Sequence, residues 1–263
     1  MTRSSLTALS SLATLLLAAS ACQPDAPATG PLAADAPANN PATTGAAAPT
    51  DTLHLPGGRV SQLRPTTAAA FNQLPTSDLP DLPNDPAAEP LPAAPGRVGR
   101  QGLALLLKPA QGPAVKLLST PDTEFTLQNG AGVKYMYWGS LPAAHQWVVR
   151  AWAWESAGAV LVDQRTGRRL DELPGDPVAA PDGGLVLLTS AGLGGGDQPN
   201  MLSLIQVDAT GARLLWQREP TTWEPAEARW AAPNRVVLKR RHTLPDGSLP
   251  DEAHVTYDEL TLP

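Results

Sequence analysis

The residue with the most distinctive chemistry in this chain is its single thiol, Cys22. A thiolate is a nucleophile and an acyl acceptor, and a lone one cannot form an intrachain disulfide or a multi-thiolate zinc site. The four histidines, His54, His145, His242 and His254, include no pair four residues apart of the kind that binds zinc from one helix face. They read as surface or turn residues. No Gly-x-Ser-x-Gly elbow and no Gly-x-x-x-x-Gly-Lys-Ser/Thr phosphate loop occurs. Without that loop, Asp251-Glu252-Ala253-His254 reads as a polar loop entering the last strand rather than a helicase box. The run Gly192-Leu193-Gly194-Gly195-Gly196-Asp197 has Asp where a dinucleotide fingerprint needs its third Gly. It is expected to connect strands, with a binding loop as the sharper reading. Asp246, Ser248 and Asp251 carry calcium-ligand oxygens but lack the EF-hand spacing. No metal and no cofactor is therefore called for, and no catalytic residue is assigned.

Weaker candidates for ligand contact are aromatic and basic. In an extended strand Trp152 and Trp154 share one face, with Trp147, Ala151 and Ala153 on the other. An exposed Trp pair would stack on sugar rings, whereas buried ones would simply pack a core. Arg235, Lys239 and Arg241 fall on one face of another strand, as either a solvated face or a patch for an anionic ligand. The chain of 263 residues carries 19 basic and 25 acidic side chains, a net charge of −6. That excludes the basic face by which nucleic-acid binders displace counterions from phosphate.

What positions Cys22 is the segment before it. Arg3 is the only charge ahead of Asp25, and Leu6 to Ala21 is apolar. Sixteen residues span about 24 Å as a helix, short of the roughly 30 Å of a bilayer core. A Pro-rich polar stretch follows, which is the layout of a secretory signal over residues 1–21. The sequence Leu17-Ala18-Ala19-Ser20-Ala21-Cys22 resembles the lipobox of bacterial lipoproteins. That resemblance implies cleavage between Ala21 and Cys22, a diacylglycerol on the Cys22 sulfur and acylation of the new amino group. Ala19 stands where the family usually has Leu, so Ala19-Ser20-Ala21 also fits ordinary secretory cleavage. Gln23 stands where enteric inner-membrane lipoproteins have Asp. The resemblance thus implies a cell-envelope protein anchored by lipid, with the outer membrane as its destination and an envelope protein or a glycan as its partner.

Residues 23–100 hold 15 of the 29 prolines. Such a stretch is expected to bury little apolar surface and to stay extended. Residues 22–52 form a disordered Ala/Pro/Thr-rich tether in this reading, and residues 53–96 a mostly irregular Pro-rich segment. Within the latter, Leu53-His54-Leu55 and Val60 flanking Pro56-Gly57-Gly58 suggest a small hairpin, and Thr67 to Leu74 a turn or two of helix.

Residues 97–263 read as an all-β domain of short antiparallel strands. Apolar runs such as Leu103 to Leu107, Phe125 to Leu127, Trp147 to Trp154, Leu185 to Leu188 and Met201 to Val207 are separated by Gly, Pro, Asp or Asn. Val162-Asp163-Gln164-Arg165-Thr166-Gly167 is echoed by Val207-Asp208-Ala209-Thr210-Gly211, and Ala-Ala pairs precede Trp147, Leu185 and Val236. A period in the forties with four short strands per unit resembles the blades of β-propellers. The resemblance implies a propeller-like fold, partial or four-bladed; an open meander or a β-sandwich is the alternative. On this scaffold a non-catalytic binding or scaffolding role is expected. A carbohydrate-active hydrolase with dispersed carboxylates and a purely structural envelope component are the alternatives.

Overall fold

The structure, a computed structural model, describes residues 52–82, 89–92, 96–126, 132–154, 156–193, 198–244 and 254–262. The signal segment, Ala21, Cys22 and the tether up to Asp51 lie outside the described residues, as do Asp246, Ser248, Asp251 and the glycines from 194 to 196. The described chain is mostly antiparallel β-structure in several small sheets, none of which closes on itself.

The chain opens with a hairpin of β1 (Thr52–His54) and β2 (Val60–Gln62), then β3 (Arg64–Pro65) and the short helix α1 (Ala68–Asn72), capped by the Thr67 hydroxyl. Sheet I contains β4 (Val98–Gln101), β5 (Ala104–Leu107) and β6 (Val115–Leu118) in sequential order. Sheet II is the meander β7 (Lys134–Leu141), β8 (Gln146–Trp152), β9 (Ala157–Asp163) and β10 (Arg169–Leu173). Sheet III repeats it with β11 (Asp176–Ala179), β12 (Leu185–Ser190), β13 (Met201–Asp208) and β14 (Gly211–Arg218). Sheet IV contains β15 (Trp223–Ala232), β16 (Arg235–His242) and β17 (Val255–Thr261), and its fourth strand is β3, brought in from the N-terminal side.

The sheets stack in chain order through three apolar cores. Leu105, Leu107 and Leu117 of sheet I meet Tyr137, Trp147, Val149, Val160 and Val162 of sheet II. The alternate residues of sheet II, among them Trp138, Val148 and Leu161, meet Val186, Leu188, Ile205 and Val207 of sheet III. Leu187, Leu202 and Leu204 then meet Trp223, Trp230, Val236, Leu238 and Leu260 of sheet IV. Sheets II and III thus bury both faces. Their strands are accordingly apolar at successive positions, as in Val186-Leu187-Leu188, where a half-exposed strand would alternate.

The echoed segments occupy equivalent places. Asp163 to Gly167 forms the β9–β10 turn, and Asp208 to Gly211 the β13–β14 turn. The two turns touch: Arg165 Nη2 donates to the Asp208 carbonyl at 2.6 Å, and Arg168 Nη1 to that of Thr210 at 2.6 Å. Burial alone would raise the pKa of Asp163. The Arg165 guanidinium and the backbone N–H groups of Thr166 and Arg165 outweigh it and bring the carboxyl down to about 2. The Ala-Ala echoes sit at the β7–β8, β11–β12 and β15–β16 corners. At the second corner Gly183 has φ +73°, and a Cβ there would stand 1.9 Å from the Ala143 carbonyl oxygen of the neighbouring corner.

The structure extends the folded body upstream of residue 97. Leu53, Leu55, Leu63 and Phe71 are buried, the first three in the core between sheets III and IV. The Phe71 ring lies 5.2 Å from that of Tyr257 on β17, and the Arg229 guanidinium stands 4.4 Å from the centre of the Phe71 ring. The Pro-rich segment therefore obtains apolar burial by docking on sheets that other parts of the chain build. Conversely, Phe125 and Thr126 lie in a loop rather than a strand, and Leu127 is outside the described residues.

Replacing Gly183 by Ala combines a left-handed backbone with a collision against a main-chain carbonyl. The expected cost is about 2 kcal/mol or more, read as a lowered midpoint in urea unfolding monitored by Trp fluorescence. An unchanged midpoint would show that the two corners do not abut.

Candidate functional site

The first strands of sheets II, III and IV converge on a cavity of about 540 Å³. Trp138 of β7, Asp176 to Val178 of β11 and Ala226 to Ala228 of β15 form three of its walls, and Thr76 to Leu82 of the Pro-rich segment form another. Two contacts seat that segment. Trp138 Nε1 donates to the Pro80 carbonyl at 2.8 Å, and the Leu79 side chain occupies the space where a Cβ on Gly139 would be, 2.9 Å from that position. Leu79 and Leu82 then pack on the core between sheets II and III. Further along, Glu89 forms an ion pair with Arg100 at 2.6 Å and accepts from the Tyr137 N–H at 2.5 Å, pinning the segment to sheets I and II.

The charged centre of this cavity is Asp176. Arg150 of β8 reaches across from sheet II to donate to it at 3.1 Å, with its guanidinium 5.5 Å from the centre of the Trp138 ring. Arg150 Nε is buried without a hydrogen-bond partner among the described residues. The Asp176 side chain keeps 66% of its surface accessible through the cavity mouth. Protein nevertheless surrounds it on the other sides, and this desolvation raises its pKa, with Arg150 opposing. The same burial lowers the pKa of Arg150, opposed by Asp176. Glu227 lines the cavity while paired with Arg229 at 2.7 Å, and Asp81 and the hydroxyl residues Thr76, Ser77 and Thr189 add to its polar lining, with Trp138 and Pro177 as apolar parts. Carboxylate acceptors beside an indole suit a ligand rich in hydroxyl or amine donors.

A second cavity, of about 560 Å³, lies on the face of sheet II that packs against sheet I. Its floor includes Tyr135, Ala151, Gly158 and Val160, and its rim carries Arg169, Asp171 and Glu172. Glu172 has φ +58° at a bulge between Leu170 and Leu173, where β10 carries an extra residue relative to β9.

The residues singled out from sequence fall elsewhere. Trp152 ends β8, half-buried. Trp154 lies beyond the strand in the turn to β9, 45% exposed, with its ring 5.8 Å from Phe125. The expected shared strand face does not apply past the strand end, and neither Trp lines either cavity. Trp147 is buried between sheets I and II with Arg97 4.8 Å from its ring centre. Arg235, Lys239 and Arg241 do share one face of β16, but acidic neighbours answer them. Arg235 approaches Glu259 at 3.5 Å, Arg241 pairs with Glu224, and Lys239 stands between Glu227 and Tyr257 in the strand registers. Among the described residues, no three His, Cys, Asp or Glu side chains converge as metal ligands. His145 occupies the β7–β8 turn with φ 53°, and His242 shares a hydrogen bond of 2.8 Å with the Thr256 hydroxyl.

Sequence reasoning missed Trp138, Arg150 and Asp176 because they come from three different strands of two sheets. Gly175-Asp176-Pro177 reads locally as turn chemistry, and only the stacking of sheets reveals that Asp176 faces an arginine of the sheet before.

Because the pKa of Asp176 is raised, ionising it costs more in the folded chain than in the unfolded one. Its contribution to stability is fully present below the ordinary aspartate range and is lost as pH rises through the raised value. Arg150→Met removes the opposing guanidinium and should move the Asp176 titration further upward, followed by carboxyl-carbon NMR. A downward move would show that the two groups do not interact.

Comparison with protein-family models, with curated proteins and with solved structures returns no match.

Proposed function

We propose that this chain is an exported envelope protein, lipid-anchored at Cys22, whose β-sheet body is a non-catalytic binding or scaffolding module. The body is read as propeller-like: sheets I to IV serve as four successive blades, β3 completes the last one, and the ring is open between the first and last. The observation that carries the binding role is the cavity where β7, β11 and β15 converge. In small propeller-like stacks the innermost strands of the blades surround the axis, and ligands meet them there. The charges in and around that cavity support binding rather than turnover. Arg150 is used to hold Asp176 across two sheets, and Arg229 to hold Glu227 within β15.

The anchor rests on the sequence Ala19-Ser20-Ala21-Cys22 following an apolar segment too short to span a bilayer. Several acyl chains on one residue hold firmly, at about 0.8 kcal/mol per buried methylene. The outer membrane is the proposed site, from Gln23 at the sorting position, with an envelope protein or glycan as the partner. In a bacterial host fed a labelled fatty acid, the wild-type chain should take up label and sediment with membranes. Cys22→Ser should do neither. Label-free wild-type protein, or an unlabelled variant that still sediments with membranes, would overturn the anchor.

One observation favours a second reading, a carbohydrate-active hydrolase. Asp176 shares a cavity with Asp81 and Glu227, and carboxyl groups facing one cleft are the arrangement of glycoside cleavage. In that case the wild-type protein releases reducing ends from envelope polysaccharide, and Asp176→Asn lowers the rate at least a hundredfold. Equal release by both proteins would remove Asp176 from any such chemistry.

A further inference from the structure

Thr76 to Leu82, the strap that walls the first cavity on one side, is held differently from the walls made by β7, β11 and β15. Those three strands are each paired along a ladder of backbone hydrogen bonds. In the strap, five of the seven residues are exposed, and Leu79 and Leu82 are half-buried. Among the described residues, one hydrogen bond joins its main chain to a sheet, the 2.8 Å bond from Trp138 Nε1 to the Pro80 carbonyl. The Leu79 N–H is satisfied inside the strap, by the Ser77 Oγ at 3.2 Å, and Pro80 has no N–H to satisfy. Lifting the strap therefore breaks one hydrogen bond and chiefly the apolar contacts of two leucines, and it leaves every ladder intact. The upstream end is fixed: Phe71 is buried, and Arg229 Nη1 donates to the Phe71 and Leu74 carbonyls at 3.5 and 3.4 Å. Leu74 and Leu79 each precede a proline, which keeps them extended and stiffens the strap.

The seat of the strap is built into β7. The ladder between β7 and β8 shifts register between Tyr137 and Gly139, so Trp138 is an extra residue on the β7 side. Such a bulge takes a side chain out of the ordinary alternation. Gly139 follows, and its backbone is not left-handed, so its own conformation does not require glycine. The strap does: a Cβ there would stand 2.9 Å from Leu79 Cδ2 and 3.2 Å from Pro80 Cδ. A glycine inside a strand weakens it. Two adjacent irregularities of β7 thus serve a single contact. The same indole has the Arg150 guanidinium 5.5 Å from its ring centre, so it lies beside the Arg150–Asp176 pair as well as the strap.

We propose that Thr76 to Leu82 is a lid on this cavity. Its latch is the Leu79 side chain in the notch at Gly139 together with the Trp138 indole on the Pro80 carbonyl, and it opens while the sheets stay folded. An opening that exposes little apolar surface needs less free energy than global unfolding. A lid over a site admits a ligand and then shields it from water. The inference rests on the binding reading of the cavity for what the lid admits. Its test needs no ligand, so a fixed strap and a cavity that binds nothing are separate results.

The test uses the full chain in detergent. Proton exchange of the Trp138 indole, assigned by its loss in Trp138→Phe, is compared with amide exchange in the central strands β12 and β13. The indole should exchange at least a hundredfold faster than those amides, at a rate that low urea leaves unchanged. Gly139→Ala puts a methyl group in the notch and should speed indole exchange at least tenfold more, with the β12 and β13 amides unaffected. Leu79→Ala should do the same from the strap side, and it serves where the glycine variant fails to fold. Thr189 lines the cavity and is 8% exposed. In Thr189→Cys, a bulky maleimide should label residue 189, read by peptide mass spectrometry, at least tenfold faster when either latch substitution is added. Indole exchange at the rate and urea dependence of the β12 and β13 amides would show a wall that moves only on unfolding, and would overturn the proposal. So would labelling of residue 189 that is indifferent to both latch substitutions.

Discussion

Two sheets in the middle of this body pack on both faces, and only their outer strands, β10 and β14, are largely exposed. Sheet II contacts sheet I through one set of alternate residues and sheet III through the other, and sheet III repeats the condition toward sheet IV. A central strand in that position has little place for a side chain that requires water. Polar groups there must find partners at the sheet margins or in neighbouring sheets, because an unpaired buried one costs about 1–3 kcal/mol. The pairing of the buried charges follows from this. Asp163, with a fully buried side chain, is met by Arg165, Thr166 and Gln146. Arg240, on the inward face of β16, lies against Asp258 at 2.6 Å and has the Trp223 ring 4.9 Å from its guanidinium carbon.

The same condition explains why the seams between sheets are joined by arginine. Arg165 and Arg168 extend from one turn to the carbonyls of the next, and Arg150 extends from sheet II to Asp176 of sheet III. A guanidinium has five donors in a planar fork and a long apolar stem, so it can satisfy a carbonyl or carboxylate on the adjacent sheet without bringing the two backbones together. Trp230 does the equivalent with an indole, donating to the Val178 carbonyl at 3.0 Å between sheets IV and III. Apolar faces supply most of the attraction between sheets, and these few directional bonds fix how each sheet is rotated on its neighbour.

Much of the strand pattern was legible because short apolar runs punctuated by turn residues have few other uses. The corners at Ala143, Ala179 and Ala231 each join the first strand of a sheet to its second, and the two Thr-Gly turns join the third strands of sheets II and III to the fourth. Strands β10 and β15 were less legible. In the first, Asp171 and Glu172 sit at a bulge; in the second, Pro225 and a register shift break the alternation. The candidate site was hardly legible at all. Neighbouring Trp and basic residues looked like a platform and a stripe, but Trp147 is needed in a core, and the arginines of β16 face cross-strand carboxylates. Trp138, Arg150 and Asp176 have no local signature, since what joins them is the stacking of two sheets.

The Pro-rich segment shows how composition can mislead about order. Its prolines and alanines cannot build a core of their own, and residues 52–82 contain only three very short strands, a three-residue 3-10 turn and a five-residue helix. They can still complete a core built by others. Leu53, Leu55 and Leu63 insert between sheets III and IV, Phe71 covers β17 beside Tyr257, and Leu79 sits against Gly139. Proline suits such a path: it lowers the entropy lost on docking and carries no N–H that burial would leave unpaired. The carbonyl of Pro80 and the carboxylate of Glu89 then act as acceptors for donors on the first strand of sheet II, the Trp138 indole and the Tyr137 amide. A segment whose composition suggests a spacer thus supplies acceptors that β7 does not find within its own sheet. Residues 53–82 therefore belong to the folded body.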